Sequence, residues 1–388
     1  MKNTLTKKLP LEGINVIDLT KVLSGPFASS ILRDLGANII KVEQPHGDDS
    51  RGYGPFINSK SSYFISLNHG KKSIVLNLKK RKDKHYLLKL LERADVLIEN
   101  FKPKTLHKLG FSWKMISKQF PKLIYAKISG FGESGPLSNL PAYDMIVQAM
   151  GGLMSITGQS DNNFSRVGTS IGDIAAGLFC VSGILASLYK RNFTGLGEKI
   201  DISMLDCQIA ILENAITRCS VLNKNPIPMA TDHPSIAPFG SFRTKDNSII
   251  IAAGNDKIFT DLCRCLSRLD ILKDKKFSNN LNRNNNIKDL RIKLEESLMK
   301  EKTKYWISLF RKNNVPCSEI NKIKDVLKNS QLLKRNMFLD YIESPKHKFK
   351  VSGNPIKFNS VNDSKSVVKA PELNQHKDEI LNFFNIDK

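Results

Sequence analysis

The chain has 388 residues, with 60 Lys and Arg against 37 Asp and Glu, a formal net charge of +23. Apolar residues make up 40% and charged residues 25%, which is ordinary globular composition and excludes wholesale disorder. The length exceeds what one compact core usually holds, so two domains, or one enlarged α/β domain, are expected.

No apolar run approaches the roughly 18 residues of a membrane helix, so no bilayer span is expected. Residues 1–13 carry basic side chains but no apolar signal core. Cys180, Cys207, Cys219, Cys263, Cys265 and Cys317 follow no framework spacing, and the histidines show no HExxH pattern. Neither disulfides nor a bound metal is expected, and the chain reads as a cytoplasmic protein of a reducing compartment. The basic surplus would attract any polyanion: nucleic acid, anionic lipid or a phosphorylated small ligand. It is spread along the chain, with Asn-rich drift at 279–288, and no nucleic-acid-reading motif accompanies it. Specific nucleic-acid binding is therefore not expected.

Strand and helix signals alternate from the start. Ile14 to Thr20 reads as a strand, followed by Gly25-Pro26 and an amphipathic stretch closed by Gly36. Residues 38–43, 73–78, 96–99 and 123–128 read as further strands, with a helix over 82–93. Helices are expected at 143–155 and 173–189, the second apolar on most sides, then a strand at 199–203. The alternation predicts βαβ units and a doubly wound, mainly parallel sheet in a large domain of residues 1–204. A linker is expected over 205–232 and a smaller α+β domain over 233–320, opened by a hairpin that turns near Lys245-Asp246-Asn247. Residues 321–388 are expected to return to the large domain, with a strand at 353–358 and a helix at 371–384.

The turn from Thr20 to Pro26 lies where doubly wound folds bind ligands, beyond the carboxyl end of a strand. It is neither G-x-G-x-x-G nor a P-loop, and as a pattern it is equally a plain βα turn. Asp173 opens the long apolar helix. It could simply cap that helix, or it could be a carboxylate held ionised beside oxyanion-stabilising N–H groups.

Several ordered blocks carry a family likeness: residues 13–20, the Ser24-Gly25-Pro26 turn, 35–43, 68–74, 95–101, 129–132, 151–154 and 168–173. Together they resemble class III CoA-transferases, the family of formyl-CoA and carnitine CoA-transferases. The resemblance implies a Rossmann-like large domain, a smaller domain and an interlocked homodimer. It also implies that acyl-CoA and a small carboxylic acid are substrates, with no permanently bound cofactor. Asp173 matches the nucleophile that attacks an acyl-CoA thioester. Val22, Leu23 and Ser24 match the backbone segment at the adenine end, and Leu76 and Lys79 match positions around the nucleotide. Asn100, Phe101 and Lys108 match a pantetheine and phosphate region. Gln44 stands where the family has an arginine, and Lys108 where some members have one.

The same family includes 2-methylacyl-CoA racemases, which use a His where this chain has Tyr143, followed by Asp144. Tyrosine is a poor base near neutral pH, which favours transfer over racemisation. Residues 233–238 and 242–246 resemble members that use dicarboxylic acids, with succinyl-CoA as a candidate donor. Arg166, seven residues before Asp173, could pair with a distal carboxylate or be an ordinary surface residue. A non-catalytic polyanion-binding protein that keeps the fold is the alternative of another class.

Overall fold

In a computed structural model, residues 8–361 and 364–386 are described, and they form two compact units. The larger comprises residues 8–154, 166–224, 330–361 and 364–386, and the smaller comprises 155–165 and 225–329.

The larger unit is built on six strands: β1 (Asn15–Asp18), β2 (Asn38–Glu43), β3 (Lys72–Val75), β4 (Val96–Glu99), β5 (Ile124–Ser129) and β6 (Lys199–Ser203). All neighbours are parallel, in the order β3-β2-β1-β4-β5-β6. The chain therefore winds outward from β1 to one edge and returns beside it to build the other. The crevice between β1 and β4 is the switch point where such sheets take ligands. The short β-branched runs suit a sheet buried on both faces. Val16 and Ile17, adjacent on β1, point into the two cores. Val16 joins Ile39, Val96 and Ile98 on one face, while Ile17 joins Ile40, Val42 and Leu97 on the other.

Helix α1 (Ser24–Asp34) follows β1, α2 (Ser62–Asn68) precedes β3, and α3 (Arg81–Glu92) connects β3 to β4. Between β5 and β6 lie α4 (Asp144–Met150) and the 24-residue α5 (Ile171–Thr194). Ala175, Ala176, Cys180 and Ile184 of α5 pack with Ala28 and Leu32 of α1 in one core. Contrary to the sequence expectation, α5 is long and apolar enough to cross a membrane by length and composition alone. Its glycines, alanines and serines interrupt the bulky residues yet leave its mean hydropathy high. Its inner face is core of this unit, while Leu178, Phe179, Tyr189 and Phe193 are exposed.

Residues 205–232, expected as a linker, include two helices: α6 (Met204–Ala210) follows β6 directly and α7 covers Ala215–Leu222. Ser203 caps α6 through its hydroxyl, which accepts from Asp206 N–H.

The smaller unit has the antiparallel sheet β7 (Phe239–Arg243), β8 (Ser248–Ala252) and β9 (Cys317–Glu319), with the hairpin turn at 244–247 as read from sequence. Its core gathers Phe242, Ile249, Phe259, Leu294, Trp306 and Phe310.

No strand forms at 353–358. Asn354-Pro355 breaks the segment, and the pairing lies earlier, in a hairpin of β10 (Phe338–Ser344) and β11 (His347–Ser352). The terminal helix α8 is shorter than expected, Lys377–Phe383. Its Ile380 and Leu381 join the core that also holds Leu87 and Leu90 of α3, and the turn before it covers the β3 edge through His376 N–H to Ser73 O (3.0 Å).

Candidate active site

The β1–α1 turn is held by three side chains from three parts of the fold. The Asp18 carboxylate accepts from the Thr20 N–H (2.9 Å) and its hydroxyl. Asn100, just past β4, accepts from Lys21 N–H and donates to Lys21 O, both at 2.9 Å. Asp48 accepts from Val22 N–H at 3.1 Å. Val22 is thereby kept at φ 64°, a left-handed conformation that a β-branched residue rarely adopts. Gly25 is required beside it, because a Cβ there would lie 2.2 Å from the Thr20 side chain.

Beneath this turn lies a buried charge network. Lys71 Nζ sits 3.2 Å from Asp18 and 2.7 Å from Ser29 Oγ, and Lys41 pairs with Asp48 at 2.8 Å. Burial alone would push the Asp18 carboxyl up, but Lys71, Lys41 and the Ser29 and Thr20 hydroxyls hold it well below the usual range.

Above the turn opens a cleft of about 660 Å³. It is lined by Val22, Leu23, Ser24, Leu76, Lys79, Asn100, Phe101, Tyr143 and Asp173, so nine residues read from the sequence converge there. Lys108 does not. It is exposed on the one-turn helix Thr105–Lys108, whose neighbours Thr105 and Leu109 face the cleft. Asp144 and Arg166 also fall outside the lining: Asp144 is buried behind it, and Arg166 lies 3.8 Å from Asp144. Gln44 lines the cleft and donates to Gly47 O (3.1 Å). Lys21, His46 and Lys102 add basic lining that the sequence reading passed over.

Asp173 is the third residue of α5, not its cap; Ser170 occupies the N-cap position. The Gly172 N–H instead donates to Asp144 Oδ1 (2.8 Å), while Asp144 Oδ2 accepts from Gln148 (2.7 Å). The Asp173 carboxylate is therefore left to face the cleft, which Ser24 also lines. Burial, then the Asp144 carboxylate, push Asp173 up to about 6, against the pull of Ser24. Tyr63 of α2 is half-buried and also feels Asp173, its phenol pushed up to about 12 by burial first and that carboxylate second. The approach of α1 depends on Gly177, one turn below Asp173, where a Cβ would lie 2.9 Å from Ser24 O and 2.8 Å from Phe27.

Tyr63 and Asp48 escaped the sequence reading because the β2–β3 crossover brings them in from short elements. The D-x-S spacing of Asp48 and Ser50, an Asx turn with Ser50 N–H to Asp48 at 2.9 Å, was the available signal.

A switch-point cleft with a raised carboxylate at one end and basic lining suits a phosphate-bearing acyl substrate. The model of "CoA-transferase family III" matches residues 11–377. The chain belongs to that family. The acetyl-CoA:oxalate CoA-transferase of Acetobacter aceti is 41% identical over 370 residues, 95% of this chain and 94% of that protein. The succinyl-CoA:glutarate CoA-transferase of Mus musculus is 38% identical, covering 96% of this chain and 86% of the relative. A CAIB/BAIF family protein from Brucella suis has the same fold, with TM-score 0.84, 34% identity, and 97% and 100% of the two chains covered. Rv3272 of Mycobacterium tuberculosis in its orthorhombic form aligns with TM-score 0.85 and 27% identity over 96% and 99%. The chain is thus a CoA-transferase family enzyme on a Rossmann-like α/β fold, and CoA thioesters are the substrates such enzymes handle.

Proposed function

We propose that this enzyme moves CoA from succinyl-CoA to a small dicarboxylic acid, with Asp173 as the covalent nucleophile. The observation that carries the reading is the Asp173 carboxylate, facing the cleft from the N-terminal turn of α5. The carboxylate attacks the thioester carbonyl, forming a mixed anhydride and releasing CoA thiolate. The thiolate attacks the aspartyl carbonyl, which gives an aspartyl-CoA thioester and frees the first acid. An incoming carboxylate reverses both steps. A serine would form an ordinary ester, losing the activation that aspartyl anhydride and thioester keep.

Lys79 and Lys102 line the cleft and make no ion pair among the described residues, so both are free to meet CoA phosphates. The dicarboxylate acceptor is supported by the relatives that act on oxalate and glutarate. Tyr143, where a racemase has histidine, favours transfer. Purified enzyme mixed with succinyl-CoA and a panel including oxalate, glutarate and mesaconate should yield new acyl-CoA masses. Hydroxylamine added during turnover should leave a hydroxamate at Asp173. A product panel showing only hydrolysis or α-deuteration in deuterium oxide overturns the proposal.

We further propose an interlocked homodimer in the cytoplasm. The exposed apolar face of α5, with Val221 and Leu222 of α7, supports it as surface awaiting a partner copy. Light scattering over a dilution series, with subunit exchange between tagged and untagged protein, tests it. A monomer, or exchange within minutes, rules it out.

A further inference from the structure

Residues 371–376 run along the edge of β3, and none of them is among the residues lining the cleft, yet two of their hydrogen bonds lead toward it. The Asn374 N–H donates to Ser73 Oγ at 3.1 Å. With its oxygen taken by that donor, the Ser73 hydroxyl gives its own proton to Glu43 Oε1 at 2.6 Å. The second route starts at the Pro371 carbonyl, which accepts from Arg51 Nη2 at 3.2 Å. Arg51 forks onto both oxygens of Glu43, at 2.7 and 2.8 Å. Glu43 is buried at the end of β2, and it also accepts from the Asp48 N–H at 3.0 Å. Leu373 packs beside the same loop, since a Cβ on Gly47 would lie 3.4 Å from its Cδ1.

We infer that residues 371–376 position the ligand cleft from outside it: they orient Glu43, Glu43 anchors the Asp48 backbone, and Asp48 holds the Val22 turn. This rests on CoA binding in that cleft. Val22, at φ 64°, persists only where its surroundings over-determine it. Asp48 Oδ1 is shared by three donors: Ser50 Oγ at 2.8 Å, Ser50 N–H at 2.9 Å and Val22 N–H at 3.1 Å. The Val22 bond is the longest of the three, so a shift of the Asp48 backbone weakens it first. Sealing the β3 edge would not need this chain. His376 N–H to Ser73 O and Val75 N–H to Asn374 Oδ1 already do that, at 3.0 and 2.8 Å.

Ser73→Ala tests this, because it cuts Asn374 from Glu43 and leaves those two edge bonds in place. The calorimetric Kd for CoA should rise about twofold to tenfold, the worth of one hydrogen bond. Hydrogen exchange at the Val22 amide should quicken, which loss of edge sealing alone would not cause. Ser73→Thr keeps the hydroxyl and should restore both readings. Asn374→Ala is the second variant, at a half-buried position. It loses the Val75 bond and places alanine at φ 63°, which loosens the segment and should weaken CoA at least about twofold. Wild-type CoA affinity in either alanine variant overturns the inference. Unchanged Val22 exchange does so too, as does Ser73→Thr failing as far as Ser73→Ala. The CoA-site reading falls separately, if Lys79→Ala binds CoA as the wild type does.

Discussion

Asp18 is buried and Asp173 half-buried, and their surroundings drive them in opposite directions. Around Asp18 the fold gathers Lys71, Lys41 and two hydroxyls, and the carboxyl stays ionised far into acid. Around Asp173 it places a second carboxylate and one serine, and the group rises to about 6. The first arrangement spends its charges on holding the β1–α1 turn. The second leaves a charge under-compensated, which makes it available to a substrate. Stability and reactivity are thus assigned to two aspartates on either side of one turn.

The comparison breaks most visibly in activity. Asp173→Ala should lower CoA transfer by several orders of magnitude, since the covalent route is lost, while CoA affinity by calorimetry stays within about threefold. Asp18→Ala should act on the fold instead. It strands Lys71 in the interior, and urea denaturation should show a loss of about 3–5 kcal/mol.

The pH dependence should have opposite signs at the two sites. Asp18 is depressed in the folded state, so its contribution is present above the unfolded carboxyl value and is lost as pH falls toward its folded one. Asp173 is raised, so folding favours its protonated form and its ionisation opposes folding above about 6. Asp173→Asn should therefore stabilise the enzyme by about 1–2 kcal/mol near pH 7.5, with the gain gone by about pH 4. Thermal unfolding at both pH values reads this directly, and a gain that persists in acid would contradict it.

The smallest effect sharpens the ligand side. Lys79→Ala should weaken CoA binding about fivefold, with the difference shrinking as salt rises, whereas Lys108→Ala should change it less than twofold. Equal effects in calorimetry would return Lys108 to the binding surface.

The central sheet was legible because each strand is a short β-branched run that both faces bury, as in Asn38–Glu43 and Val96–Glu99. The Phe338–Ser352 hairpin was not, because Asp340, Glu343, Lys348 and Lys350 punctuate strands that bury little, and Pro345 masks the turn. The helices within the expected linker were missed for a related reason. The linker's proline cluster begins only at Pro226, and the residues before it form helices whose outer side chains are exposed. At the site, Asp173 and the 22–24 turn were readable because contiguous motifs carry them. Lys108 was misplaced because neighbourhood in sequence does not fix which side of a one-turn helix faces a cleft. Asp48 and Tyr63 act across the crossover, and only the folded chain brings them there.

The seat of α8 has a consequence for how the enzyme is made. His376 docks on Ser73 across a separation of 303 residues, so the β3 edge is closed by residues made long after it. At about 5–20 residues per second, that edge waits roughly 15–60 s. Throughout that interval the nascent chain carries an open row of parallel-strand hydrogen-bonding groups beside an incomplete core. Chaperone demand during synthesis is thus set by where the covering segment lies in the chain, whatever the final stability of the enzyme.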